Sequence, residues 1–285
     1  MLIEQLTHGF VLGSIYALIA VGYSLIYGVM RMVNFAHGDL LMVGGFMLFY
    51  GSAPFGSLYG LLTILFLGLF SMLTERLIYR PLRRLSESYT VVAAICLSLF
   101  LQNAAVLLFS ADPKPLVPPF SESFVSHFSF PLCLLVTALL LFGLYHTRVG
   151  IAIRAVATDS DAAALSGVRV GKMFSLVFFL SGMTAALSAL LYTSKYPAVY
   201  PFLGAMPGLK AYTASVIGGI GSLPGAILGG LLLGILETLL KGYIEILSHG
   251  QLTAAFADGV IYALLLLMLL FRPRGLLGKE HKEKV

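Results

Sequence analysis

The sequence predicts an all-α protein, a polytopic bundle of about eight or nine transmembrane helices with broken helices and an inverted repeat. The first ground is composition. Over 285 residues only 11% are charged and 59% are hydrophobic, with a mean hydropathy of +0.94. An average soluble domain carries roughly 25% charge, and a soluble fold of this length could not hide so much apolar surface, so the bilayer is the natural solvent. The second ground is a series of windows without charge, over 5–30, 40–74, 88–111, 123–147, 173–194 and 211–236. The third is a pair of glycine- and polar-rich interruptions, one in each half.

Taken in order, the spans are expected near 8–30, 38–52, 57–75, 90–110, 129–147, 173–195, 205–220, 225–247 and 252–271. A spanning helix needs roughly 20 apolar residues. The 40–74 window is too long for one, and Gly51-Ser52-Ala53-Pro54-Phe55-Gly56 divides it. Gly218 to Gly225 divides the 204–247 region in the same way. The proline-rich segment 111–128 reads as an extended loop. The whole chain, 1–285, is expected to be one membrane domain. The first apolar run is too long for a cleavable signal, and Glu4 stands where a basic residue would be expected.

The net charge of +5 is a topology signal rather than a nucleic-acid footprint. Arg31, the loops 76–89 and 148–172 and the tail after 271 hold 14 of the 18 Lys and Arg residues, which marks that side as cytoplasmic. Lys114, Lys195, Lys210 and Lys241 are the remainder. Keeping 148–172 and the tail on one side requires 205–220 to cross. Segment 38–52 either crosses, placing the N-terminus outside, or re-enters.

No phosphate-binding loop, metalloprotease helix or nucleophile elbow is present, so no catalytic residue, metal site or cofactor is expected in this chain. Cys96 and Cys133 lie in apolar segments and imply neither a disulfide framework nor a metal site. Intramembrane charge is scarce, and its main candidates are Glu237, which has Lys241 one turn on, and Asp258 near the start of the last span. An ion-driven secondary transporter normally strings several ionisable groups through the membrane. The interruptions at 33–39 and 218–225 point to a translocation pathway, and Asn34, His37, Gly218, Gly219 and Gly221 are its candidate residues; the same residues also suit helix caps and a tight hairpin. Glycines four apart, Gly9/Gly13, Gly221/Gly225/Gly229 and Gly230/Gly234, predict close helix packing, within the chain or against a second subunit. In the loop 148–172, Asp159 suits an N-cap and Gly167 a helix end, with Ala162, Ala163, Ala164 and Leu165 between them. This predicts a short docking helix outside the membrane, with Arg154 at its rim.

Several blocks in order resemble one known family: Gly13 to Ser24, Asn34 to Asp39, Tyr79 to Arg83, Leu97 to Asn103, Arg154 to Val168, Gly218 to Ala226 and Arg272 to Leu276. The chain is similar over nearly its whole length to the branched-chain amino acid ABC-importer permeases, of the LivH-type subunit. The resemblance implies import of leucine, isoleucine or valine. It also implies a LivM-type partner permease, two cytoplasmic ATP-binding subunits that carry the ATP, an extracytoplasmic substrate-binding protein and a home in the bacterial or archaeal cytoplasmic membrane. It casts Arg154–Val168 as the coupling helix seated in the ATPase. Asp39 stands where the family often has Glu. Permeases for urea and short-chain amides are similar, which keeps substrate choice open.

Overall fold

The computed structural model describes residues 2–55, 58–83, 87–247, 256–272 and 275–278. Helix α1 (Leu2–Met30) is the axis of the bundle, and almost every side chain from Val11 to Ile26 is buried. After it, Asn34 leads into a single 3₁₀ turn, Phe35–His37, and then α2 (Asp39–Phe55). Helix α3 (Tyr59–Thr74) runs on through a π-helical turn, Glu75–Tyr79, to Leu82. Then come α4 (Glu87–Phe109), the short strand β1 (Lys114–Pro115) and α5 (Glu122–His146). Two short helices follow, α6 (Arg148–Thr158) and α7 (Ser160–Leu165). The second half holds α8 (Val170–Lys195), β2 (Ala198–Val199), α9 (Ala205–Gly218), α10 (Leu223–Leu247) and α11 (Phe256–Phe271).

Among the described residues six helices are long and apolar enough to cross a membrane: α1, α3 with its extension, α4, α5, α8 and α10. With α2, α9 and α11, which are shorter, this matches the expected set of nine. Two expectations at the edges change. Segment 122–128 is helical, because Ser121 accepts a hydrogen bond from Phe124 N and caps α5 ahead of the anticipated start. The rest of the 111–128 loop is pinned by β1, which pairs antiparallel with β2.

The packing is reciprocal. Helix α1 lies against α10 and α9, and α8 lies against α3 and α2, while α1 and α8 cross each other. The seams use small residues, as expected where lipid offers no hydrophobic drive between helices. A Cβ on Gly13 would stand 2.8 Å from Leu231 Cα, and one on Gly68 would stand 2.8 Å from the Phe179 ring. The Gly9/Gly13 and Gly230/Gly234 repeats therefore face one another inside the chain. The basic residues gather at one end: Arg31, Arg80 and Arg83 share a cleft with Asp159, and Arg31 and Arg154 share a cavity with Gly278. At the other end Lys114 donates to Tyr50 at 2.7 Å, and Lys195 meets His8 at 3.2 Å.

Candidate functional site

Helix α9 has 14 residues, about 21 Å at 1.5 Å per residue, too short for a hydrocarbon core of about 30 Å. Its start lies part-way through the bundle because the preceding stretch, 196–204, descends non-helically from the β1–β2 end along α2, with Val199 and Leu203 buried against Gly45. The segment 31–38 does the converse, rising from the basic end before α2 begins. The two meet backbone to backbone. A Cβ on Gly38 would lie 2.8 Å from Gly208 Cα and 3.0 Å from Gly204 O, and one on Gly208 only 2.6 Å from Gly38 Cα. Only glycine permits this approach.

Side chains around the crossing hold it in place. Tyr79 donates to Asn34 Oδ1 at 2.6 Å, and Gln102 donates to Asp39 Oδ1 at 2.8 Å. His37 sits wholly buried, its Nδ1 3.2 Å from Ser181 Oγ and its ring edge-on to Tyr23 at 4.8 Å. Tyr212 on α9 packs against both Tyr23 and Phe35, with ring centroids 5.8 and 5.5 Å away. Beside the crossing Phe202, Met206 and Leu209 are exposed.

The second half is interrupted twice, at 196–204, which was not anticipated, and at 219–222, inside the expected 218–225 stretch. Gly218 to Ser222 is the tight turn between α9 and α10, with Gly218 packed on Gly225. The strap 275–278 closes over it: Leu276 N and Leu277 N donate to Ile217 O and Gly218 O, each at 2.9 Å. Gly219 (φ 104) and Gly275 (φ 72) both occupy the left-handed region at that contact. Gly221 lines the cavity beside Arg31. The five pathway candidates are therefore not one cluster. Asn34 and His37 support the crossing from within the bundle, while Gly218, Gly219 and Gly221 lie at the basic end. Sequence reasoning missed Gly204 and Gly208, although Pro197, Pro201, Gly204, Pro207 and Gly208 recur there as helix breakers.

A buried charge network was also only partly anticipated. Glu237 Oε1 accepts from Lys241 at 2.5 Å as its i,i+4 spacing implied, but also from Lys210 at 2.7 Å, and Oε2 accepts from Tyr16 at 2.9 Å. Lys210 in turn reaches Asp258 at 2.7 Å. Four elements, α1, α9, α10 and α11, are tied at this point.

The 148–172 loop is not one helix but two at an angle. Thr147 accepts from Gly150 N at 3.0 Å and caps α6. Asp159, extended at φ −156°, accepts from Asp161 N at 3.0 Å and Ala162 N at 2.9 Å, capping α7. At the other end Val168 N reaches Ala163 O and Gly167 N reaches Ala164 O, both at 3.0 Å, with Gly167 at φ 84°. That is the glycine-terminated helix end in full. The three alanines divide: Ala162 and Ala164 are exposed, whereas Ala163 is 4% exposed and packs on the bundle. Leu165 is 91% exposed. An apolar side chain thus stands outward at the tip of a capped turn.

The family model described as "Branched-chain amino acid transport system / permease component" matches residues 5–269. The chain belongs to this permease family. Among relatives, the high-affinity branched-chain amino acid transport system permease protein BraD of Pseudomonas aeruginosa is 37% identical, over 99% of this chain and 98% of its own length. The permease's likeness to LivH of Escherichia coli is 35% over 99% and 97%, and to a probable archaeal LivH of Methanocaldococcus jannaschii 28% over 95% and 90%. No solved structure matches it significantly.

Proposed function

We propose that this permease forms, with a second permease subunit of the LivM type, the path by which leucine, isoleucine and valine enter the cell. The end carrying Arg31, Arg80, Arg83 and Arg154 faces the cytoplasm. The membrane is the cytoplasmic membrane of a bacterium or archaeon. Two ATP-binding subunits dock there and hold the ATP, and this chain contributes no cofactor and no catalytic group. A substrate-binding protein delivers the amino acid at the β1–β2 end. The observation that carries the reading is the segment Arg154–Val168, with Leu165 projecting from a capped turn set between α5 and α8. A rigid element in that place transmits closure of the ATPases to two spans at once. The crossing of Gly38 with Gly204 and Gly208 is the narrow point of the path, with the exposed Phe202, Met206 and Leu209 turned toward the partner permease. Asn34 and His37 position the crossing, and Gly218, Gly219 and Gly221 form its cytoplasmic hinge.

Reconstitution with candidate partners in proteoliposomes tests the reading against leucine, isoleucine, valine, urea and a short-chain amide. Expected is ATP-dependent leucine uptake that survives collapse of ion gradients. Uptake of urea or the amide alone would move the substrate to the alternative branch. Uptake driven by an ion gradient without ATP would make the protein a secondary transporter.

A further inference from the structure

At the basic end a cavity of about 630 Å³ opens between the last turns of α1, the end of α5, the face of α6 and the turn joining α9 to α10. Its walls are mixed in a particular way. Leu25, Leu141, Leu144 and Ile153 make an apolar body, while Arg31 and Arg154 supply cations at the mouth. Among the described residues no Asp or Glu contributes to the wall. Neither arginine is in an ion pair among the described residues. Arg154 is instead held over the Tyr145 ring at 4.9 Å. Arg31 sits at φ 54, a left-handed conformation that non-glycine residues seldom adopt. Two exposed guanidiniums without an ion-pair partner at the edge of an apolar cavity are the donor type that suits a phosphate group.

We propose that this cavity binds an anionic phospholipid of the adjoining leaflet, its phosphate between Arg31 and Arg154 and the upper part of its chains against Leu141, Leu144 and Ile153. A soluble anion would leave the apolar body wetted, and an acidic side chain from a partner would leave it unfilled. An amphiphile satisfies both parts. Tyr145, on the cavity wall, is itself exposed, an amphipathic ring of the kind found at membrane interfaces. Basic pockets between transmembrane helices at this depth are recognised sites for such headgroups. Because α6 forms one wall, the bound lipid braces the segment that carries α7 against α1. Binding itself is a property of this chain and does not rest on the transport reading.

The test is native mass spectrometry of the permease, purified with its partner subunits and titrated with phosphatidylglycerol or phosphatidylcholine. Preferential retention of phosphatidylglycerol is expected. Arg31→Gln should weaken it about fivefold, and Arg31→Gln with Arg154→Gln about 25-fold, given the usual contribution of one basic residue near a charged headgroup. Arg169→Gln removes the same charge from exposed surface outside the cavity and should leave retention unchanged. Ala157→Phe blocks the cavity without altering charge and should lower retention by itself, so the proposal stays testable if an arginine variant fails to assemble. Equal retention of both lipids, or of phosphatidylglycerol by wild type and the double variant, overturns the proposal. Displacement of the lipid by glycerol 3-phosphate at matched concentration would overturn it too, by showing a site for soluble anions.

Discussion

Replacing Glu237 by alanine removes the acceptor for three donors at once. Its Oε1 lies 2.7 Å from Lys210 and 2.5 Å from Lys241, and its Oε2 accepts from Tyr16 at 2.9 Å. Two of these donors stay buried, the Lys210 side chain being 5% exposed and Tyr16 3%. Lys210 would retain Asp258 alone, and the Tyr16 hydroxyl would be left without its acceptor. Breaking a buried pair in this way costs about 3–5 kcal/mol. Lys241, with a side chain 43% exposed, is a different case, and Lys241→Ala should cost no more than about 1 kcal/mol. For a chain of this size about 2 °C of melting temperature accompanies each kcal/mol, so Glu237→Ala should melt about 6–10 °C lower and Lys241→Ala within about 2 °C of wild type. The assay is thiol-dye unmasking of the buried Cys133 on heating, in a Cys96→Ser background. Equal shifts for Glu237→Ala and Lys241→Ala would refute the reasoning, because burial would then not be what sets the cost.

The parts of the fold that depend on local chemistry were legible in the sequence. Charge-free windows gave the spans, and Asp159 and Gly167 marked the ends of a short helix because capping is decided within a turn or two of chain. What was not legible depends on distant partners. A broken membrane helix and a tight interhelical turn ask for the same residues, so Gly218 to Gly225 resembled the first as much as the second. Only the packing of Gly218 on Gly225, under the strap 275–278, decides for the turn. The further interruption at 196–204 is masked by hydrophobicity, since Tyr196 to Leu203 carries no charge and its backbone finds partners through β1 and in its own turns, Ala198 N on Tyr196 O and Leu203 N on Tyr200 O. Lys210 lay inside an expected span with no partner visible nearby, because its two carboxylate partners lie on other helices. The alanine run does not say which residue faces inward; a six-residue helix resting on the bundle must turn one of three consecutive side chains toward it, and that residue is Ala163.

The difference between Ala163 and Leu165 separates docking from folding. Leu165→Arg should abolish co-purification with the ATPases and ATP-driven uptake without moving the melting temperature, whereas Ala163→Arg should lower the melting temperature as well; normal ATPase binding by Leu165→Arg would end the docking assignment. Gly208→Val tests the crossing. Its Cβ would stand 2.6 Å from Gly38 Cα, and the obstacle is backbone on both sides, so no side chain can rotate away. Overpacking of this kind costs about 1–3 kcal/mol, which is too little to keep the protein out of the membrane but enough to force the two non-helical segments apart. Gly208→Val should therefore insert and bind the ATPases while losing at least about 90% of uptake, a barrier increase of about 1.4 kcal/mol, with Gly208→Ala intermediate. Gly143, where an added Cβ meets nothing within 4 Å, is the control, and Gly143→Ala should transport normally. If Gly208→Val transports as well as Gly143→Ala, the contact of Gly38 with Gly208 is only a packing seam, and the path must run elsewhere in the assembly.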